Sequence, residues 1–175
     1  MTLNTASLIE VAYDDRQRLV RLVKGQALFE VAKHQARPFV VAAGDRRITA
    51  TGTAFDVRLD RDQVKVLLIE GRVVVAAATG AGPTNLLPTD RQVLEPGEAL
   101  VAGPSRAVSI AAADIERDTA WNRGQLVFRD ERLADAVAEM NRYAPETLVI
   151  EDARIADLRI SGVFGTARPE TSRRS

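Results

Sequence analysis

Residues 37–58, RPFVVAAGDRRITATGTAFDVR, alternate short apolar runs with breaks at glycine and aspartate. Pro38 opens the first run, the position in a strand where a missing N–H is tolerated. Gly44-Asp45 turns the chain into residues 46–51, and Gly52 ends that run before a further one at 55–59. Valine, isoleucine, threonine and phenylalanine dominate the runs, as a pleated and half-buried surface prefers. The block predicts an all-β segment.

The same rhythm extends in both directions. Residues 8–13 alternate up to an Asp14-Asp15 turn, and 18–23 form a second strand closed by Lys24-Gly25. Residues 26–31 form a third. Downstream, Asp60-Arg61-Asp62 turns the chain into 64–69, and Glu70-Gly71 turns it again into 72–76. Returns every eight to twelve residues predict a sandwich, roll or solenoid-like stack of short antiparallel strands. Phe29, Phe39 and Phe55 are its expected core. Residues 79–90 are turn-rich and read as a surface loop. Two more strands, 92–94 and 99–102, flank Glu95-Pro96-Gly97-Glu98, where Pro at the second position and Gly at the third suit a type II turn.

The pattern changes after residue 110. Residues 111–123 read as a connector, and 124–165 as a small, incomplete α+β subdomain of βαβ type. In it, strand 125–128 leads to Asp130 as a helix N-cap and a helix over 131–143, with Leu133, Val137 and Met140 at helical spacing. Ala144-Pro145 stops the helix. Strands are expected at 147–150 and 158–163. The polar tail 166–175 is expected to be disordered. The predicted organisation is thus a mainly β domain over 1–110, the connector, the subdomain and the tail.

Composition bounds the function. The chain has 175 residues, 46% hydrophobic and 27% charged, as for an ordinary globular protein. Lys+Arg and Asp+Glu balance at 24 each, so no global field recruits nucleic acid or an anionic membrane surface. There is no cysteine, which excludes disulfides, thiolate nucleophiles and cysteine metal sites. No apolar run approaches the roughly 18 residues that span a bilayer.

Candidate chemistry is sparse. His34 is the single histidine and is expected in a polar surface turn, without partners for a metal site or a serine triad. Asp56, Asp60 and Asp62 lack the glycine and glutamate of a calcium loop and read as strand and turn residues. Residues 80–84, GAGPT, lack the lysine end of a phosphate loop. No catalytic residue, metal or cofactor is predicted, and the chain is read as a recognition module rather than an enzyme. Trp121, the one tryptophan, sits where the pattern changes and suits an anchor, either within the protein or for a partner.

The order of several motifs resembles the periplasmic region of FecR-type sigma-factor regulators. The β part carries GQALFEV at 25–31, RPFVV at 37–41, GTAFDV at 52–57 and EGRV at 70–73. The later part carries Trp121, GQLVF at 124–128, Leu133, NRY at 141–143 and RISGVF at 159–164. That later part is similar to the short N-terminal domains of TonB-dependent transporters and secretins. The resemblance implies a periplasmic, signal-transducing region of a transmembrane anti-sigma factor. Its partner would be the N-terminal signalling domain of a TonB-dependent siderophore transporter. An extracytoplasmic-function sigma factor would be reached only through a cytoplasmic segment lying outside this sequence. The second half expected after Phe164 is replaced by a short basic tail.

An incomplete sheet presents an edge for strand addition. Leu158, Ile160 and Phe164 on the last strand, with Trp121, are therefore the expected partner-binding residues, although they equally suit a core. Two alternatives stand beside this reading: an envelope structural or assembly module, and a β domain binding a small ligand such as a carbohydrate.

Overall fold

A computed structural model describes residues 1–33, 37–78, 91–103 and 107–166. His34, the loop 79–90 with its 80–84 segment and the tail after Thr166 lie outside the described residues. The chain divides into two compact units, Met1–Ile115 and Glu116–Ser175.

The first unit consists of β1 (Thr2–Leu3), β2 (Leu8–Tyr13), β3 (Arg18–Glu30), β4 (Phe39–Ala43), β5 (Arg46–Ala50), β6 (Ala54–Asp60), β7 (Gln63–Glu70), β8 (Val73–Ala77), β9 (Arg91–Leu94), β10 (Glu98–Ala102) and β11 (Val108–Ala112). These make one 11-stranded sheet in the order β11-β10-β7-β6-β3-β4-β5-β8-β9, with β1 and β2 lying along β3. The sheet curls on itself. One buried cluster therefore takes Leu100 and Ala102 from one half together with Ile48, Val75 and Leu94 from the other.

Phe29, Phe39 and Phe55 meet at the centre of that cluster, as expected. The Phe29 and Phe55 rings stack with centroids 5.1 Å apart, and Phe39 lies 5.6 Å from Phe29. Full burial of such a side chain contributes about 1.5–3 kcal/mol. The Glu95–Glu98 turn also follows expectation: Gly97 has φ 86°, and the Glu98 N–H donates to the Glu95 carbonyl at 3.1 Å.

Two features depart from the sequence reading. The strands expected at 18–23 and 26–31 are one 13-residue strand, β3. Gly25 does not end it but bends it, at φ 90°, where the register with β2 shifts between Leu8 and Ile9. Ser7 fills the gap in the ladder: its hydroxyl accepts from the Gln26 N–H and donates to the Gln26 carbonyl, both at 2.9 Å. A Cβ on Gly25 would sit 2.3 Å from Ser7 Oγ. A bulge of this kind re-aims a strand without terminating it. Consequently β3 serves both halves of the curl, pairing β6 through Gly25–Glu30 and β4 through Arg18–Leu22. The second departure is that β3 and β4 run parallel, within a sheet expected to be antiparallel throughout.

Asp56 stands apart from the hairpin aspartates. It is buried and accepts from Gln26 Nε2 at 2.9 Å, while Asn4 Nδ2 donates to Gln26 Oε1 at 2.8 Å. Buried polar groups of this kind are tolerable because hydrogen bonds offset their lost hydration.

The second unit holds α1 (Ile115–Asp118) at its boundary, a 3-10 turn at Ala120–Arg123, β12 (Gln125–Arg132), α2 (Leu133–Met140), a 3-10 turn at Ala153–Ile155 and β13 (Arg159–Gly165). Strand, helix and strand occur in the expected order, but β12 and β13 pair antiparallel. The unit is a hairpin with a helix in its connection, not a parallel crossover.

Candidate interaction surface

Helix α2 lays one side of the β12–β13 sheet to rest. Leu126, Phe128 and Ala136 are buried together, with Met140, Tyr143 and Ile160 packed against them. Leu133, Val137 and Met140 do fall on the helix, but its fully buried point is Ala136, whose small side chain lets helix and sheet approach closely. The helix starts at Leu133, later than expected, and Asp130 is not its cap. Asp130 sits instead on β12 with φ 53°, at the bulge between Phe128 and Glu131. There its N–H donates to Ser161 Oγ at 2.9 Å and its carbonyl accepts from Arg159 Nη1 at 2.9 Å. Arg132 precedes the helix and donates to Asp157, an exposed pairing that raises the guanidinium pKa further above its ordinary value.

The strand expected at 147–150 is absent. Asn141 accounts for this, because its side-chain amide takes both backbone groups of Leu148. Asn141 Nδ2 donates to the Leu148 carbonyl at 2.9 Å, and the Leu148 N–H donates to Asn141 Oδ1 at 2.7 Å. Those are the groups a neighbouring strand would have used. Leu148 and Val149 are left exposed.

The four residues expected at a partner surface are placed differently from one another. Leu158 is exposed and immediately precedes β13, its carbonyl accepting from the Leu133 N–H at 2.8 Å. Ile160 points towards α2 and is part of the packed cluster. Phe164 lies over Phe128, ring centroids 5.5 Å apart, and stays partly exposed. Trp121 is only 9% exposed and offers little surface, and its indole Nε1 has no hydrogen-bond partner among the described residues. Val163 was not singled out from sequence, although period two puts it opposite Ile160 and Phe164. It is 62% exposed and pairs across the sheet with Val127. Among the described residues β13 pairs with β12 alone, which leaves its other edge open to a further strand.

In the first unit, a shallow open cleft of about 370 Å³ lies where β3, β6 and β7 end. It is lined by Glu30, Val31, Ala32, Gly52, Thr53, Ala54 and Glu70, none of them aromatic. Stacking on a sugar ring therefore has no platform there. The described residues contain no group of three or more His, Cys, Asp or Glu side chains placed to hold a metal ion. No helix among them is long and apolar enough to cross a membrane.

Two crystal structures of a candidate anti-sigma factor from Parabacteroides distasonis ATCC 8503 share this architecture. The first is 21% identical, with a TM-score of 0.75 over 96% of this chain and 76% of that one. The second is 21% identical, with a TM-score of 0.73 over 95% and 75%. At that identity the likeness is one of fold. No curated protein matches the chain. The family model described as FecR protein matches residues 1–74, from β1 into β8, and includes all four motifs of the curled sheet. Over those residues, less than half of its length, the chain is similar to the FecR family.

Proposed function

We propose that this chain is the periplasmic signal-transducing region of a membrane-anchored sigma regulator, and that it acts by recognition and not by catalysis. It receives its signal by direct contact with the N-terminal signalling domain of a TonB-dependent siderophore transporter. A cytoplasmic segment of the longer protein then passes the signal to an extracytoplasmic-function sigma factor. The match of residues 1–74 to the FecR family model supports the regulatory role.

One observation supports the contact surface: β13 combines an edge unpaired among the described residues with the exposed apolar side chains of Val163 and Phe164, and of Leu158 just before it. An incoming strand gains main-chain hydrogen bonds along such an edge, and alternate side chains supply selectivity. Substitution at Ile160 tests this poorly, since that side chain packs against α2. Val163→Asp is the informative change, with Val93→Asp on β9 of the first unit as an exposed control on a different strand. Titration calorimetry with the transporter domain should show binding weakened at least about tenfold by Val163→Asp, equivalent to about 1.4 kcal/mol. Equal affinity for both variants, each with a native circular dichroism spectrum, would sink the proposal.

A further inference from the structure

Strand β2, LIEVAY, is an open edge of the first unit, pairing with β3 alone among the described residues. Ile9, Val11 and Tyr13 share the face that turns towards the core. Only Ile9 reaches it; Val11 is 57% exposed and Tyr13 56%. Glu10 is the one charge within the strand and is already paired, 3.5 Å from Arg21 on β3. Proteins usually blunt an apolar edge with lysine, proline or an inward charge. This edge has none of these.

We propose that β2 pairs antiparallel with β2 of a second copy of this chain, on a two-fold axis through Val11. The choice of a second copy rests on self-complementarity, which a two-fold interface requires. With the axis at Val11, Ile9 faces Tyr13 of the second copy, Val11 faces Val11, and Glu10 faces Ala12. The two Ile-Val-Tyr faces then join into one apolar strip of six side chains, and each Glu10 keeps its own Arg21. The two neighbouring registers conflict with charge. An axis at Glu10 sets two carboxylates face to face, and an axis at Ala12 sets Glu10 against Asp14. Like charges directly opposite across strands are destabilising.

The chain has no cysteine, so Val11→Cys introduces its only thiol. Mild oxidation should convert Val11→Cys to a covalent dimer severalfold more completely than Val93→Cys at the same concentration. Sedimentation of the unmodified chain should give twice the 19.0 kDa monomer mass, and Val11→Glu should sediment as a monomer with an unchanged circular dichroism spectrum. A monomer at every concentration, with the two cysteine variants cross-linking alike, overturns the proposal. So does a dimer that survives Val11→Glu. Protection of β2 amides from hydrogen exchange only when the transporter domain is added assigns the edge to that partner instead, and overturns it too.

Discussion

Gly71 packs directly on Gly52: a Cβ at Gly71 would stand 2.8 Å from the Gly52 carbonyl oxygen and 2.6 Å from Thr53 Cγ2. Two motifs separated in sequence, GTAFDV at 52–57 and EGRV at 70–73, are therefore one structural joint. It lies at the ends of β6 and β7, beside the shallow cleft.

That joint predicts an asymmetry between two glycines. Gly71 and Gly97 have nearly equal positive φ, 88° and 86°, but a Cβ at Gly97 would meet nothing within 4 Å. Gly97→Ala should cost only backbone strain, about 1–3 kcal/mol. Gly71→Ala should cost that and the steric overlap as well. Urea unfolding checks it: the midpoint should fall further for Gly71→Ala, with the slope unchanged for both. Equal midpoints would show that the joint yields without resistance.

Asn141→Ala should free residues 147–150. Both hydrogen bonds to Leu148 are lost, at a cost of about 1–3 kcal/mol if the bonded pair contributes at the usual rate. Hydrogen exchange should report a loss of protection at the Leu148 amide, with the amides of β12 and β13 unaffected. Protection persisting at Leu148 would mean that some other group holds the segment.

Asp14 predicts a pH effect with a definite sign. Its Oδ1 accepts from the backbone N–H groups of Gln17 and Arg16, each at 2.7 Å, at the turn from β2 to β3. Those bonds favour the ionised form and lower its pKa below the ordinary 3.8. A depressed carboxyl contributes its stability above the unfolded-state pKa and loses it as pH falls through the folded value. Asp14→Ala should therefore destabilise the chain at neutral pH and narrow its difference from the unmodified chain below pH 3.8. Because the group is fully exposed, the effect should be small. Thermal melts across that range provide the check, and a constant difference at all pH values would count against the assignment.

The alternation of short strands was legible because burial of one face leaves a period of two in the residues themselves. Phe29, Phe39 and Phe55 could be read as core from that pattern alone. The type II turn at Gly97 was legible as well, since proline and glycine impose their dihedral preferences locally. What failed was any feature that depends on a distant partner. Gly25 looked like a terminator, and whether a glycine ends or bends a strand depends on Ser7 filling the gap in the ladder. Residues 147–150 looked like a strand, but their backbone groups had been taken by Asn141. Asp130 looked like a cap, but a bulge opposite Ser161 claimed it.

The candidate surface was legible only in part. Sequence placed it on the last strand and named Leu158, Ile160 and Phe164. Val163 emerged only once β13 was paired with β12, and Ile160 turned inward for the same reason.

For this protein the sequence by itself determined the alternation of short strands over the first unit, the central phenylalanines and the order of the motifs within residues 1–74. These follow from local propensity, periodicity and residue chemistry. Only the tertiary structure decided that β3 is continuous and serves both halves of the curl, that β3 and β4 run parallel, and that β2 and β13 are edges among the described residues. Pairing partners, register and exposure are set by contacts between residues far apart in the chain, and a period of two is the same whichever neighbour a strand finds.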